Sequence, residues 1–238
     1  MIAVYWWSVE GTGLNIVTLI EGLPNFGEML RQMFPPDVGY AARLWEPLVE
    51  TLAIGILATL IGSVLAIPMG FLAAENISHA AIYYPARMVL NVLRGISELI
   101  WALLFVVAVG LGPFAGVLAL VIFSIGVLGK LIAEALEAVE PGPLDAMRAT
   151  GASRWKVFLY GAWPQILPLY LSYCLYWWDH NTRQATILGF VGAGGLGYSL
   201  FFSITTFEFE KATTAILSMI LVITVIDRFC LYLRKKII

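Results

Sequence analysis

The chain has 238 residues, of which 60% are hydrophobic and only 13% charged, and its mean hydropathy is +0.86. Soluble domains carry about 25% charged residues, so this is the composition of an integral membrane protein and not of an ordinary soluble domain. The net charge of −2 argues against a nucleic-acid partner. Cys174 and Cys230 both fall in apolar runs and read as small buried side chains rather than a disulfide framework.

Met1 to Trp7 is apolar but too short to span a bilayer. It also lacks the basic start and small-residue cleavage site of a signal peptide, so it reads as the remnant of a longer N-terminal helix. Leu14 to Ile20 is a brief apolar run. Asn25-Phe26-Gly27-Glu28 then pairs an N-cap residue with an acid three positions on. Phe26, Met29, Leu30, Met33 and Phe34 follow at helical spacing, opposite Glu28, Arg31 and Gln32. The pattern predicts a short amphipathic helix, stopped by Pro35-Pro36. It lies at the membrane surface or packs on the neighbouring spans.

Thr51 to Ala74 is uncharged for 24 residues between Glu50 and Glu75. A hydrocarbon core needs about 20 helical residues, so this is a first span, with Pro68 as a site for a kink. Met88 to Val109 reads as a second span, ended by the turn Gly110-Leu111-Gly112-Pro113. Phe114 to Ala133 is a third, Val157 to Trp178 a fourth that continues toward Gly189, and Ala212 to Leu233 a fifth. The expected fold is therefore all-α and membrane-embedded, with five transmembrane helices and an N-terminal amphipathic or partial helix. Residues 1–46 form an N-terminal segment, 47–233 the membrane domain and 234–238 a basic tail.

The longest polar interruption runs from Glu134 to Lys156. Pro141-Gly142-Pro143 breaks the preceding helix. Pro143 suits the first position of a new one, where its missing N–H is harmless. Leu144 to Thr150 reads as a short helix, Gly151 as its left-handed cap and Ser153 as the N-cap of the next. Placing this stretch in the cytoplasm puts ten Lys and Arg residues inside (Arg87, Arg94, Lys130, Arg148, Arg154, Lys156, Arg228 and Arg234 to Lys236) and four outside (Arg31, Arg43, Arg183 and Lys211). Cytoplasmic loops carry the excess of Lys and Arg, so this is the expected orientation, with the C-terminus inside.

Asp145-Ala146-Met147-Arg148-Ala149-Thr150-Gly151, nine residues, and Gly161-Ala162-Trp163-Pro164 resemble the EAA loop of bacterial ABC importer permeases. Asp145 stands where Glu is usual, Met147 replaces a small residue, and Gly161 and Trp163 replace Ile and Leu. The resemblance covers about residues 47 to 233 and implies the type I importer membrane domain. It also implies that Asp145, Ala146, Met147, Arg148, Gly151 and Pro164 belong to a coupling helix and its closure. The implied partners are a separate ATP-binding subunit, a periplasmic or lipid-anchored solute-binding protein, a second permease copy and membrane lipid, in the bacterial inner membrane. Phe34-Pro-Pro-Asp37, Leu104 to Ala119, Glu140-Pro-Gly-Pro143, Arg148-Ala-Thr-Gly-Ala152 and Val191 to Gly197 further resemble permeases of phosphonate importers. Phosphite, phosphate or an amino acid are alternative solutes. A membrane enzyme is a rival of another class.

No G-x-x-x-x-G-K-[ST] occurs, so the expectation is that ATP and Mg bind the partner and that the chain has no cofactor, metal or catalytic residues of its own. Gly192-Ala-Gly-Gly-Leu-Gly197 matches a dinucleotide fingerprint by letter but lacks a surrounding βαβ unit. Gly192, Gly194 and Gly195 read instead as a bend at the outer end of span four, where a gate could form. Arg94 and Glu98 are four apart on span two, as are Asp179 and Arg183 on span four, with His180 and Asn181 between. Charges at membrane depth are costly, so each pair is either self-neutralising or lines a translocation path. Trp177 and Trp178 read as interfacial anchors or helix-end packing.

Overall fold

The computed structural model describes residues 1–13 and 16–237. Every regular element among them is helical. The chain opens with α1 (Ile2–Thr12) and α2 (Ile16–Gln32). Leu14, where the predicted apolar run begins, lies outside the described residues. Asn25 is not an N-cap: α2 passes straight through Pro24 and Asn25. The apolar repeat Leu19, Leu23, Phe26, Leu30 continues across the proline, and this longer period outweighs the local cap signal. No residue of α2 is buried.

A single turn, α3 (Val38–Ala41), is capped by Asp37, whose Oδ1 accepts from the Tyr40 N–H at 3.1 Å. It leads through a 3₁₀ turn into α4 (Trp45–Ala73), so the first span begins before Thr51 and carries Glu46 and Glu50 within its helix. The buried face of α4 runs through Gly55, Ala58, Gly62, Ala66, Gly70 and Ala73. These small residues let α4 lie against α7 (Pro113–Glu137), the most enclosed helix. A methyl group on Gly62 would stand 2.6 Å from Cβ of Ser124, and one on Gly70 2.6 Å from Ile132. In lipid the water-driven force between helices is absent, so such close backbone packing carries the association. The opposite face of α4, including Leu57, Leu60, Ile61 and Val64, stays exposed, as a lipid-facing surface requires.

The second span is not one helix. It is α5 (Ala80–Gly95) and α6 (Glu98–Val109), meeting at 86°. Gly95 weakens the helix, and Ser97 starts a new one by accepting from the Ile100 N–H at 3.4 Å. The Trp101 indole then donates to the Leu93 carbonyl at 3.1 Å, satisfying an acceptor freed by the break. Arg94 and Glu98 therefore belong to different helices and do not share a face.

After α7 comes α8 (Pro141–Ala149), then α9 (Arg154–Lys156), a π-helical stretch (Val157–Ala162) and α10 (Trp163–Leu188). A glycine-rich turn links α10 to α11 (Gly195–Thr205), bent by 40° from the α10 axis, and α12 (Phe209–Ile237) completes the chain. Among the described residues, three helices are individually long and apolar enough to cross a membrane, and the count reaches five if each bent pair is one span. The helix α11 was not anticipated; its short length and glycine-rich entry hid it.

Candidate translocation site and coupling loop

The polar residues of α10 divide between two sides of that helix. On one side, Asp179 and Arg183 form an ion pair, Nη2 to Oδ2 at 2.7 Å. They border a cavity of about 230 Å³ between α10 and α12, with Tyr176 and His180 from α10 and Asp227, Cys230, Leu231 and Arg234 from α12. Arg183 also faces Asp227 at 3.8 Å, beyond hydrogen-bonding range. The Arg234 guanidinium lies 5.8 Å from the Tyr176 ring centroid, and its Nε is buried without a partner. The cavity thus combines two guanidinium groups with two carboxylates, one of which holds its arginine only loosely. The sequence did not single out Asp227 and assigned Arg234 to the inner side and Arg183 to the outer one; the antiparallel packing of α12 on α10 brings both arginines to one cavity instead. The signal was the spacing of seven between Asp227 and Arg234, which puts both on one face of α12.

On the other side, Asn181 is wholly buried and faces away from this cavity. Its Nδ2 donates to Thr59 Oγ1 at 2.9 Å and to Ser124 Oγ at 3.2 Å, while Ser124 Oγ accepts from Trp177 Nε1 at 2.7 Å. This knot joins α4, α7 and α10 inside the bundle. Asn181 thus ties three helices together and does not border the cavity that Asp179 and Arg183 line. Trp177 is likewise a core residue, stacked 4.6 Å from His180, rather than an interfacial anchor. Trp178 packs edge-on against Phe229.

Glu98 and Arg94 separate at the elbow of α5 and α6. Glu98 meets His180 Nε2 at 3.0 Å, while Arg94 turns back to Asn91 Oδ1 at 3.2 Å. The predicted ion pair between them is absent, because the break at Ile96-Ser97 reorients the chain. Glu98 stands beside the Asp179–Arg183 cluster through His180; Arg94 does not join it.

At the opposite end from the glycine turn, the buried apolar anchor of α8 is a single side chain. Leu144 is 3% exposed and packs on Gly161, where an added methyl would meet Leu144 Cδ2 at 3.2 Å. Leu144, the residue just before the 145–151 half of the sequence motif, thus rests on Gly161, the first residue of the 161–164 half. Asp145, Ala146 and Arg148 face outward, and Met147 is half-buried. The helix begins two residues earlier than expected, with Pro141 at its start in place of Pro143. Gly151 takes the left-handed conformation at φ +74 and donates to the Arg148 carbonyl at 2.9 Å. Ser153 stands at the N-cap position of α9 but its side chain makes no cap hydrogen bond. Gln165 steadies both sides of the loop: its Oε1 accepts from the Glu140 N–H at 3.2 Å and its Nε2 donates to the Gly161 carbonyl at 2.8 Å. Pro164 enters α10 in its first turn, where no N–H is needed.

The glycine turn is fastened, not loose. Gly192, Gly194 and Gly195 all have positive φ. The Gly192 carbonyl accepts from the Gly112 N–H at 2.9 Å, tying the turn to the start of α7. Glu50 Oε2 accepts from the Gly195 N–H at 2.6 Å and Thr51 Oγ1 from the Leu196 N–H at 2.9 Å, so α4 side chains cap α11.

Residues 66–238 match the family described as binding-protein-dependent transport system inner membrane component. The chain is 43% identical over 216 residues to the phosphate-import permease protein PhnE of Mycolicibacterium smegmatis, covering 90% of this chain but 41% of that longer protein. It is 39% identical over 225 residues to the phosphite transport system permease protein PtxC of Stutzerimonas stutzeri, covering 93% of this chain and 81% of that one. It is 45% identical over 121 residues to PhnE2 of Escherichia coli K12, assigned by name to a cryptic phosphonate transport system; the match covers 51% of this chain and 99% of that one. A solved structure showing inward facing conformations of the MetNI methionine ABC transporter has a TM-score of 0.75 at 20% identity, covering 85% of this chain and 99% of that one, which establishes the shared fold. A membrane-domain fold, a polar helix held outside the bundle and a family match over most of the chain converge: this protein belongs to the family of binding-protein-dependent transport system inner membrane components.

Proposed function

We propose that the chain is the transmembrane permease subunit of an ATP-driven importer for phosphonates. The observation that carries the reading is α8. It offers Asp145, Ala146 and Arg148 outward while Leu144 anchors it to the start of α10. A separate ATPase subunit, which holds the ATP and Mg, pushes on this helix from the cytoplasm. The anchor turns that push into movement of α10 and α7. The chain itself is then a conduit rather than an enzyme. A second copy completes the pore, a solute-binding protein delivers the solute from outside, and the C-terminus is cytoplasmic.

Phosphonate as solute is supported by the phosphonate system named for one relative, by the related phosphorus oxyanions named for two others, and by the cavity between α10 and α12. A guanidinium binds phosphonate oxygens through charge-assisted hydrogen bonds. A conduit must release what it binds, and the carboxylates of Asp179 and Asp227 hold the affinity of Arg183 and Arg234 down. Arg183 and Asp179 are thus the residues proposed to meet the passing anion, with Glu98 acting through His180. Gly192, Gly194 and Gly195 are proposed to move as an outer gate when the Glu50–Gly195 hydrogen bond opens. Residues 1–46 are proposed as an accessory segment and the membrane domain as 47–233.

Pull-down of a tagged chain, followed by ATPase assays with methylphosphonate, phosphite, phosphate and methionine plus the cognate binding protein, tests the reading. Co-purification of an ATPase stimulated most by methylphosphonate is expected. Stimulation by methionine alone would replace the solute, and absence of any ATPase would remove the permease assignment.

A further inference from the structure

Among the described residues, no hydrogen bond or ion pair joins α8 directly to α5 or α6. The bent arm that carries Glu98 at its elbow must therefore receive movement through intermediaries. A route of hydrogen bonds joined by short backbone steps runs between them. Arg148 of α8 donates to the Asn76 carbonyl at 3.3 Å, and Asn76 Nδ2 donates to the Leu136 carbonyl at 2.7 Å. The next residue, Glu137, is the last of α7. Its carboxylate accepts from Arg87 Nη2 at 2.7 and 2.8 Å and from the Glu75 N–H at 2.8 Å. Arg87 Nε reaches the Ala73 carbonyl, at the end of α4, at 3.2 Å. The Arg87 guanidinium covers the Tyr83 ring at 4.7 Å, and the Tyr83 hydroxyl reaches Glu75 at 3.4 Å.

One arginine of α5 thus binds the final residues of both α4 and α7. The pair is about a third exposed (35% and 27%), where an ion pair adds little to stability. Its geometry is nevertheless specific, because two charge-assisted bonds and a helix-end carbonyl fix the direction of the guanidinium. Where glycines of α7 meet α5 the contacts are apolar and close: Leu90 lies against Gly129, and Leu93 and the Arg94 backbone against Gly126. Smooth contacts of this kind resist compression but permit sliding.

We infer that Arg87 and Glu137 are positioning residues that pass the movement of α8 to the α5–α6 arm. Breaking the pair lets ATP hydrolysis proceed while the elbow at Ile96-Ser97 stays behind. The inference rests on the permease reading above, and its test separates the two.

The test uses the whole importer in nanodiscs, with Cys174 and Cys230 changed to Ala and spin labels on Ser97→Cys and Phe114→Cys. The distance between labels is read with and without ATP and vanadate. Vanadate trapping is expected to shift this distance in the otherwise wild-type protein. In Arg87→Met and in Glu137→Gln the shift falls to less than about half, with hydrolysis within about twofold of the parent. The swapped pair Arg87→Glu/Glu137→Arg restores the shift. An undiminished shift in both single variants overturns the inference while leaving the permease reading intact. A loss that the swap does not restore also overturns it, since the residues then serve folding. If the unmutated chain carries no ATPase through purification, the permease reading falls and this inference with it.

Discussion

Asn181 and Arg183 are two positions apart on one helix, and that offset of about 200° gives them different tasks. Asn181 is enclosed and hydrogen-bonded to Thr59 and Ser124, while Arg183 borders the cavity. Asn181→Ala leaves buried hydroxyls short of a partner, at a cost of about 1–3 kcal/mol. The midpoint of thermal unfolding in detergent should drop, while uptake per folded molecule stays near the parent value. Arg183→Ala should do the reverse: uptake in proteoliposomes falls about tenfold, the scale of one lost charge-assisted contact, with ATPase co-purification unchanged. Parent-level uptake in Arg183→Ala and Asp179→Ala would remove this cavity from the path. The polar character of residues 179–184 was plain from the sequence. Which of them face the cavity was not, because that depends on how α4 and α7 pack against α10.

At the scale of elements, α8 and the glycine turn each depend on one close contact. Leu144 is the only wholly enclosed side chain of α8, and truncating a buried leucine typically costs about 2–5 kcal/mol. Leu144→Ala should free the helix from the start of α10, so that ATPase turnover survives while solute uptake per ATP declines. Uptake per ATP equal to the parent would show that the anchor is not needed. Gly197 lies against the Thr186 carbonyl and Gly189 where α11 crosses the end of α10, so a methyl group there has no room. Overpacking of this kind costs about 1–3 kcal/mol or more. Gly197→Ala should lower the yield of monodisperse protein, and an unchanged yield and melting midpoint would show that the crossing can open. The helix α8 was legible because the prolines at 141 and 143 and Gly151 are local signals, though they left its first residue two positions off. The break in the second span was not, since Arg94 and Glu98 on either side of Gly95 and Ser97 stand four apart and read as one helical face within a run of full span length.

For the molecule as a whole, the arrangement has two ends. Gly110 to Pro113 and the glycine turn mark one, and α8 with the α4–α5 loop marks the other. The excess of Lys and Arg near α8 predicts that this end is cytoplasmic. A membrane-impermeant maleimide should therefore label Leu111→Cys in intact cells lacking an outer membrane, but Ala149→Cys only after permeabilisation. The opposite pattern would invert the topology and leave α8 on the wrong side for a cytoplasmic motor. Both native cysteines are at least partly enclosed and give a low background.

Membrane residence, an all-helical chain with three to five spanning segments and a polar helix after α7 were legible in the sequence alone. Each follows from local quantities: the length of apolar runs, the density of charge, and the positions of proline and glycine. The elbow within the second span, the partnership of Glu98 with His180, the enclosure of Asn181 and the Arg87–Glu137 link were decided only in three dimensions. Each of those depends on which helix faces which. In a bundle held by small residues in close contact, a side chain's surroundings are set by neighbours far away in the chain.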